Sequence, residues 1–328
     1  FSFAMTFTSC SDEAFDVDSV NKQTILVFYP WTGSTTSSGL KQYLANNIDS
    51  ICQGIVAKKG LSDSRVMVFF SEKYNKSTLY DLQYDAASRK VNRVPVKTYE
   101  DNSYCTAEGI ANLLNEVKQN AEALNYALII GVHGSGWTYA EDWVNYPNCA
   151  RPSFGGTATS SAFSGIQFGS DPDRPVTRFF GSVNSKSYAM DIPTLAEGIR
   201  QSGMKMQYIL FDACYMGNVE TAYELKDVTN YLISSSSEVM AIGFPYRSIW
   251  SMLNSATPNY SGIVNGIVNF YKSSYVPYCN MAAIDCREMD NLASVMKEIN
   301  SQYTLDSSIP LETIQPLDGF TPSLFYDM

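Results

Sequence analysis

Histidine is almost missing from this chain. Its 328 residues contain one, His133. Any chemistry that needs an imidazole rests on that residue, and metal centres built from several histidines are excluded. Basic residues are also sparse, 23 Lys and Arg against 33 Asp and Glu, for a net charge of -10. A nucleic-acid binder needs clustered Lys and Arg to neutralise phosphate, so that class is set aside. The seven cysteines are odd in number and show no C-x-x-C spacing, which fits neither a disulfide framework nor a zinc site. No stretch past the N-terminus is apolar for long enough to span a bilayer.

What is present describes a globular chain, with 45% hydrophobic and 17% charged residues. The 22 tyrosines and 17 phenylalanines are generous, as in many extracytoplasmic proteins. Residues 1–9 are uncharged and mostly apolar, Ser9 is small, and Cys10 is followed by Ser11-Asp12-Glu13. This resembles the end of a bacterial lipoprotein signal peptide with Cys10 as the lipidated residue. Residues 1–21 are accordingly read as signal remnant, lipidation site and acidic linker, and 22–328 as one folded domain. An extracytoplasmic, membrane-anchored lipoprotein or cell-surface protein is the expected location.

From residue 23 the pattern alternates between strands and helices. Buried-strand runs occupy 23–30, 65–71, 126–132, 206–211 and 231–235, with a further strand at 279–285. Helical spacing covers 38–56, where Leu40, Tyr43, Leu44, Ile48, Ile51 and Ile55 recur, and also 106–123, 192–201, 219–226, 248–254, 261–274 and 288–302. Residues 78–84 and 91–99 alternate around a polar turn and read as a β-hairpin. Residues 134–187 are rich in Gly, Ser, Pro and Asp and read as a long loop insertion. Strands that are apolar on both faces and alternate with helices predict an α/β sandwich with a mainly parallel central sheet. Ligands of such sheets sit at the carboxyl ends of the strands.

Two of those ends carry chemistry. Tyr126–Val132 leads to His133-Gly134, and Met206–Phe211 leads to Asp212-Ala213-Cys214. A free thiol has a pKa of about 8.5, and an adjacent imidazole can take its proton or stabilise the thiolate. Gly134 lets the backbone come close to a substrate, so its N–H and that of Cys214 are the candidate oxyanion donors. Cys52, Cys105, Cys149, Cys279 and Cys286 are read as packing, the usual role of a free cysteine.

The segments His133-Gly134 and Asp212-Ala213-Cys214-x-Met216-Gly217 are similar to those of clostripain-like cysteine peptidases, within the caspase-like group. So are Thr177-Arg178-Phe179-Phe180-Gly181, Met190-Asp191-Ile192-Pro193-Thr194-Leu195-Ala196 and Asn218-Val219-Glu220-x-Ala222-Tyr223-Glu224-Leu225. The resemblance covers about residues 22–300 and implies a caspase-like α/β/α sandwich. It implies a cysteine endopeptidase with a His133–Cys214 dyad, an oxyanion hole of the Gly134 and Cys214 amides, and a thioester acyl-enzyme. Asp212 would line the pocket for the residue before the cleaved bond and favour Arg or Lys there. Where the family often carries a second acid, this chain has Ile242, with Glu238 nearby but shifted.

Many relatives are zymogens cut between the histidine and the cysteine. Of the basic residues in the loop at 134–187, Arg151 and Arg174 precede proline, which leaves Arg178 and Lys186 as self-cleavage candidates. Some relatives use calcium, for which Asp171 and Asp173 are the acidic loop; a solvated turn is the simpler reading of that pair. No metal ligand or cofactor is assigned. The expected partners are protein or peptide substrates, with no nucleic acid, membrane contact only through a lipid anchor, and a monomeric state. Two rival readings stay open: a non-hydrolytic surface binding module on the same fold, and a peptide transferase using the same thioester.

Overall fold

The computed structural model describes residues 20–139, 176–177, 179–275, 277–304, 309–310, 313–317 and 326. The strands up to the histidine are β1 Asn21–Tyr29, β2 Ser64–Lys73, β3 Lys76–Asp85, β4 Lys90–Tyr99, β5 Ala123–Gly131 and β6 His133–Gly134. Then come β7 Thr138–Tyr139, β8 Val176–Thr177, β9 Phe179–Gly181, β10 Ala189–Asp191, β11 Met206–Asp212, β12 Thr229–Ser234 and β13 Ala282–Asp285. The helices are α1 Lys41–Lys58, α2 Ala107–Asn120, α3 Ile192–Gln201, α4 Val219–Leu225, α5 Tyr246–Leu253, α6 Tyr260–Lys272 and α7 Met289–Gln302.

Eight strands form the main sheet in the order β13-β12-β11-β5-β1-β2-β3-β4. The five from β12 to β2 are mutually parallel, and β13, β3 and β4 extend the two edges by antiparallel pairing. Successive side chains of a strand point to opposite faces, and both faces here are covered. In β1, Leu26 and Phe28 enter one core and Ile25, Val27 and Tyr29 the other. The first core is closed by α2, α3 and α4 through Leu113, Leu195 and Leu225; the second by α1, α5 and α6 through Ile51, Trp250 and Ile267. The result is the expected three-layer α/β/α sandwich.

Helix starts follow the local sequence. Thr106 Oγ1 accepts from the Gly109 N–H at 3.1 Å, and the Asp191 carboxylate accepts from Thr194 N–H at 2.8 Å with Pro193 in the first turn. Two expectations are corrected and one is extended. The hairpin at 78–84 and 91–99 forms as β3 and β4, and because β3 also pairs with β2 it is an edge of the main sheet. The interval read as a loop contains strands: β6 and β9 pair, β10 joins them in a three-stranded sheet, and β7 pairs with β8. Pieces of two or three residues are too short to show a period of two. Finally, β13 begins at Ala282 rather than 279, because its partner β12 ends at Ser234, opposite Ala282.

The α1–α5 contact is close because Gly54 has no side chain; a Cβ there would lie 2.5 Å from Trp250 Cβ. Gly54→Ala is expected to destabilise the fold by about 1–3 kcal/mol through overpacking, partly offset by alanine's better helix propensity. The readout is a lower urea midpoint with an unchanged m-value. An unchanged midpoint would mean that the two helices separate at no cost.

Candidate active site

The register of β5 and β11 builds the site. Asp212 pairs with Gly131, and the Val132 N–H donates to the Asp212 carbonyl at 3.3 Å. His133 and Cys214 each follow two residues after that pair, so the two strands deliver them to the same edge of the sheet. Beyond it the backbones stay in contact: a Cβ on Gly134 would sit 2.2 Å from the Cys214 carbonyl oxygen. Only glycine allows that approach. On the other side, His133 pairs with Gly181 and Gly134 with Phe180, so β9 fixes the histidine backbone. Ser182 Oγ, just past β9, donates to the Gly33 carbonyl at 2.6 Å and ties this small sheet to the loop after β1.

After Cys214 the chain turns sharply. Tyr215 has φ of +60°, a left-handed conformation that costs a side-chain-bearing residue about 1–2 kcal/mol. It is held by its N–H to the Ser237 carbonyl at 3.0 Å and by Asn218 Nδ2 to its own carbonyl at 2.7 Å. Asn218 also caps α4 through Thr221 N–H at 2.8 Å. The Cys214 thiol is partly exposed and lies against the main chain of Val239, with the Val239 N–H 3.3 Å and its carbonyl 3.4 Å from Sγ. The carbonyl suits a thiol and the N–H suits a thiolate.

Asp212 is 6% exposed and faces the α1–α5 layer. Its Oδ2 accepts from Tyr246 OH at 2.9 Å, Asn47 Nδ2 at 3.3 Å and Phe244 N–H at 3.3 Å. Burial pushes its carboxyl up from 3.8 to about 7, and the Tyr246 and Phe244 hydrogen bonds pull partly the other way. The segment from Val239 to Phe244 thus runs from thiol to carboxylate, and Ile242 lies on it, 45% exposed.

His133, Gly134, Cys214 and Asp212 are therefore gathered at one edge, with Ile242 on the adjoining segment. Lys186 is elsewhere, exposed in the one-turn 3-10 helix Lys186–Tyr188 between β9 and β10. Cys10, Cys149, Arg151, Asp171, Asp173, Arg174 and Arg178 lie outside the described residues. Among the described residues no group of three or more His, Cys, Asp or Glu is arranged to hold a metal ion. The sequence reading missed Val239, Tyr246 and Asn47. Asn47 did leave a signal, a polar residue between Leu44, Ile48 and Ile51 on the apolar face of α1.

The clostripain family of C11 peptidases matches residues 168–315, a span that includes Cys214. Along nearly its whole length the chain is similar to iotapain, a secreted C11 cysteine protease from Bacteroides thetaiotaomicron. Identity is 37%, over 94% of this chain and 78% of that one, with a TM-score of 0.78. The chain belongs to the clostripain family. It is a cysteine peptidase with the caspase-like fold of that family. The same fold recurs at 22% identity in an inactive zymogen C11 protease from Parabacteroides distasonis, with a TM-score of 0.71 over 94% of this chain and 76% of that one. It recurs at 19% identity in another secreted C11 protease from B. thetaiotaomicron, solved with an irreversible peptide inhibitor, with a TM-score of 0.63 over 90% and 73%. Among curated proteins none matches this clostripain-family chain.

Two outcomes follow from the geometry. Gly134→Ala should lower peptidase kcat/KM by about a hundredfold, because an added methyl displaces the backbone beside Cys214 by a sizeable fraction of an ångström or more. Near-wild-type kinetics would show that this contact is not needed. The raised Asp212 pKa means that the unfolded chain loses a proton that the folded chain keeps, so this group costs stability as pH rises from about 4 to about 7. Asp212→Asn should therefore raise Tm at pH 7–8 and change it little at pH 4. A gain that is equal at both pH values would refute the buried-charge origin.

Proposed function

We propose that the chain is a cysteine endopeptidase in which Cys214 is the nucleophile and His133 its proton-transfer partner. The observation that supports this most directly is the β5–β11 register, which brings the only imidazole and a partly exposed thiol to one edge. Cys214 passes its thiol proton to His133, its Sγ attacks the peptide carbonyl carbon, and the Gly134 and Cys214 N–H groups hold the oxyanion that forms. As the C–N bond breaks, His133 gives that proton to the departing amine. It then takes a proton from water, whose oxygen attacks the thioester carbonyl; as the C–S bond breaks, His133 returns that proton to the sulfur and the acid product leaves. The Val239 N–H adds a donor to the thiolate when it forms.

The substrates are proteins or peptides, as the inhibitor-bound C11 structure suggests by analogy. Asp212 forms the floor of the pocket for the residue before the cleaved bond and draws a basic side chain into it. That cation restores the charge that burial suppresses on Asp212. Residues 22–328 act as one monomeric peptidase unit outside the cytoplasm, where iotapain is also described as secreted. Among the described residues no helix is long and apolar enough to cross a membrane. Cys10 is the proposed lipid attachment point. Self-processing is assigned to Arg178 or Lys186; the Parabacteroides distasonis relative is described as an inactive zymogen.

The test is labelling by a peptide carrying an electrophilic carbonyl, with and without substitution of the dyad. Wild type should label and turn over peptide. Cys214→Ala should not label, and both Cys214→Ala and His133→Ala should lose kcat by about a thousandfold or more. Labelling that persists in Cys214→Ala would remove the thiol from its role. Sequencing the N-termini of purified fragments reads the self-cleavage point.

A further inference from the structure

The carboxylate at the pocket floor presents one oxygen. All three hydrogen bonds found on Asp212, from Tyr246, Asn47 and Phe244, converge on Oδ2, and Oδ1 takes none of them. Gly243 closes the Oδ2 side further, since a Cβ there would be 2.6 Å from that oxygen. The wall running back to the thiol carries Ile242, hydrocarbon in place of a second carboxylate. We propose that this pocket selects lysine over arginine at the residue before the cleaved bond. The proposal rests on the reading of Asp212 as the pocket floor.

A guanidinium presents five N–H donors in a planar fork and is recognised best by two oxygens side by side. Here the second oxygen is already taken by three protein donors. An arginine would reach Oδ1 with one edge and leave four N–H groups to find other partners beside Ile242. An ammonium has three donors, binds as a point charge, and leaves two. Each buried donor without a partner is costly. The reach also suits lysine: Asp212 and Cys214 are two residues apart, so their backbones lie within about 7 Å, comparable to a four-carbon stem. Glu238 precedes Val239, whose N–H meets the thiol, so its backbone lies at the thiol end of the wall.

The experiment uses the full chain and peptides that differ only in lysine, arginine or norleucine before the cleaved bond. Lysine is expected to exceed arginine in kcat/KM by at least about tenfold, the least that two further donors left unpaired would cost. Arginine equal to or better than lysine, with both far above norleucine, would overturn this inference and leave the Asp212 pocket standing. Norleucine equal to or better than both would overturn the pocket reading itself. Ile242→Asp supplies a second acceptor and should raise the arginine rate at least tenfold relative to lysine; an unchanged ratio would count against the single-oxygen explanation. In Glu238→Gln the ratio should stay within twofold, and loss of the lysine preference there would move the selection from Asp212 to Glu238.

Discussion

The parallel pairing of β5 with β11 is the constraint on which the site depends. Hydrogen bonds between neighbouring strands fix their ends to within a residue, and here Gly131 faces Asp212. That single alignment positions two segments separated by about eighty residues of chain. The remaining local features keep the ends where the sheet leaves them. Pairing with β9 holds the histidine side, and the hydrogen bonds around Tyr215 hold the turn after the cysteine. The close passage of Gly134 by the Cys214 carbonyl locks the two together.

Asp212 shows how a candidate pocket residue can oppose stability. A buried carboxylate surrounded by aromatic side chains is unfavourable when ionised, and three hydrogen bonds compensate only part of that. The same three donors organise the neighbourhood. Phe244 ends the segment that borders the thiol, Tyr246 opens α5 two residues on, and Asn47 reaches across from α1. The acid therefore orders the segment beside the thiol, and in the proposed pocket its other oxygen would meet the ligand. An amide could satisfy the same geometry, but it would offer no charge to a cationic side chain.

Much of this was legible in the sequence, and the reason is physical. Strands covered on both faces, such as β1 and β11, must be apolar throughout, so they stand out. The start of α3 is announced by Asp191 and Pro193. The proposed dyad could be named because only one histidine exists and each candidate closes an apolar run. Long-range polar contacts were not legible. Asn47 bonds Asp212 across 165 positions, and Val239 meets Cys214 across 25, with no local pattern to announce either. The strands β6, β9 and β10 were hidden because two or three residues carry no periodicity. The membership of β3 and β4 in the main sheet was hidden because a hairpin motif says nothing about what its outer edge joins.

The strand order has a consequence for a chain severed between Tyr139 and Val176. The first fragment would own β1 to β5 and the histidine, and the second would own β11 to β13 and the cysteine. Neither could bury its own apolar faces alone, because the β5–β11 seam runs through the middle of the sheet, α1 packs on α5, and α2 packs on α3. The pair β6–β9 crosses the same divide. Such a nicked molecule would behave as an obligate heterodimer whose subunit interface is a protein core, with the two reacting groups contributed from opposite sides of it. Cutting the chain would then release local restraint near the site without separating its halves.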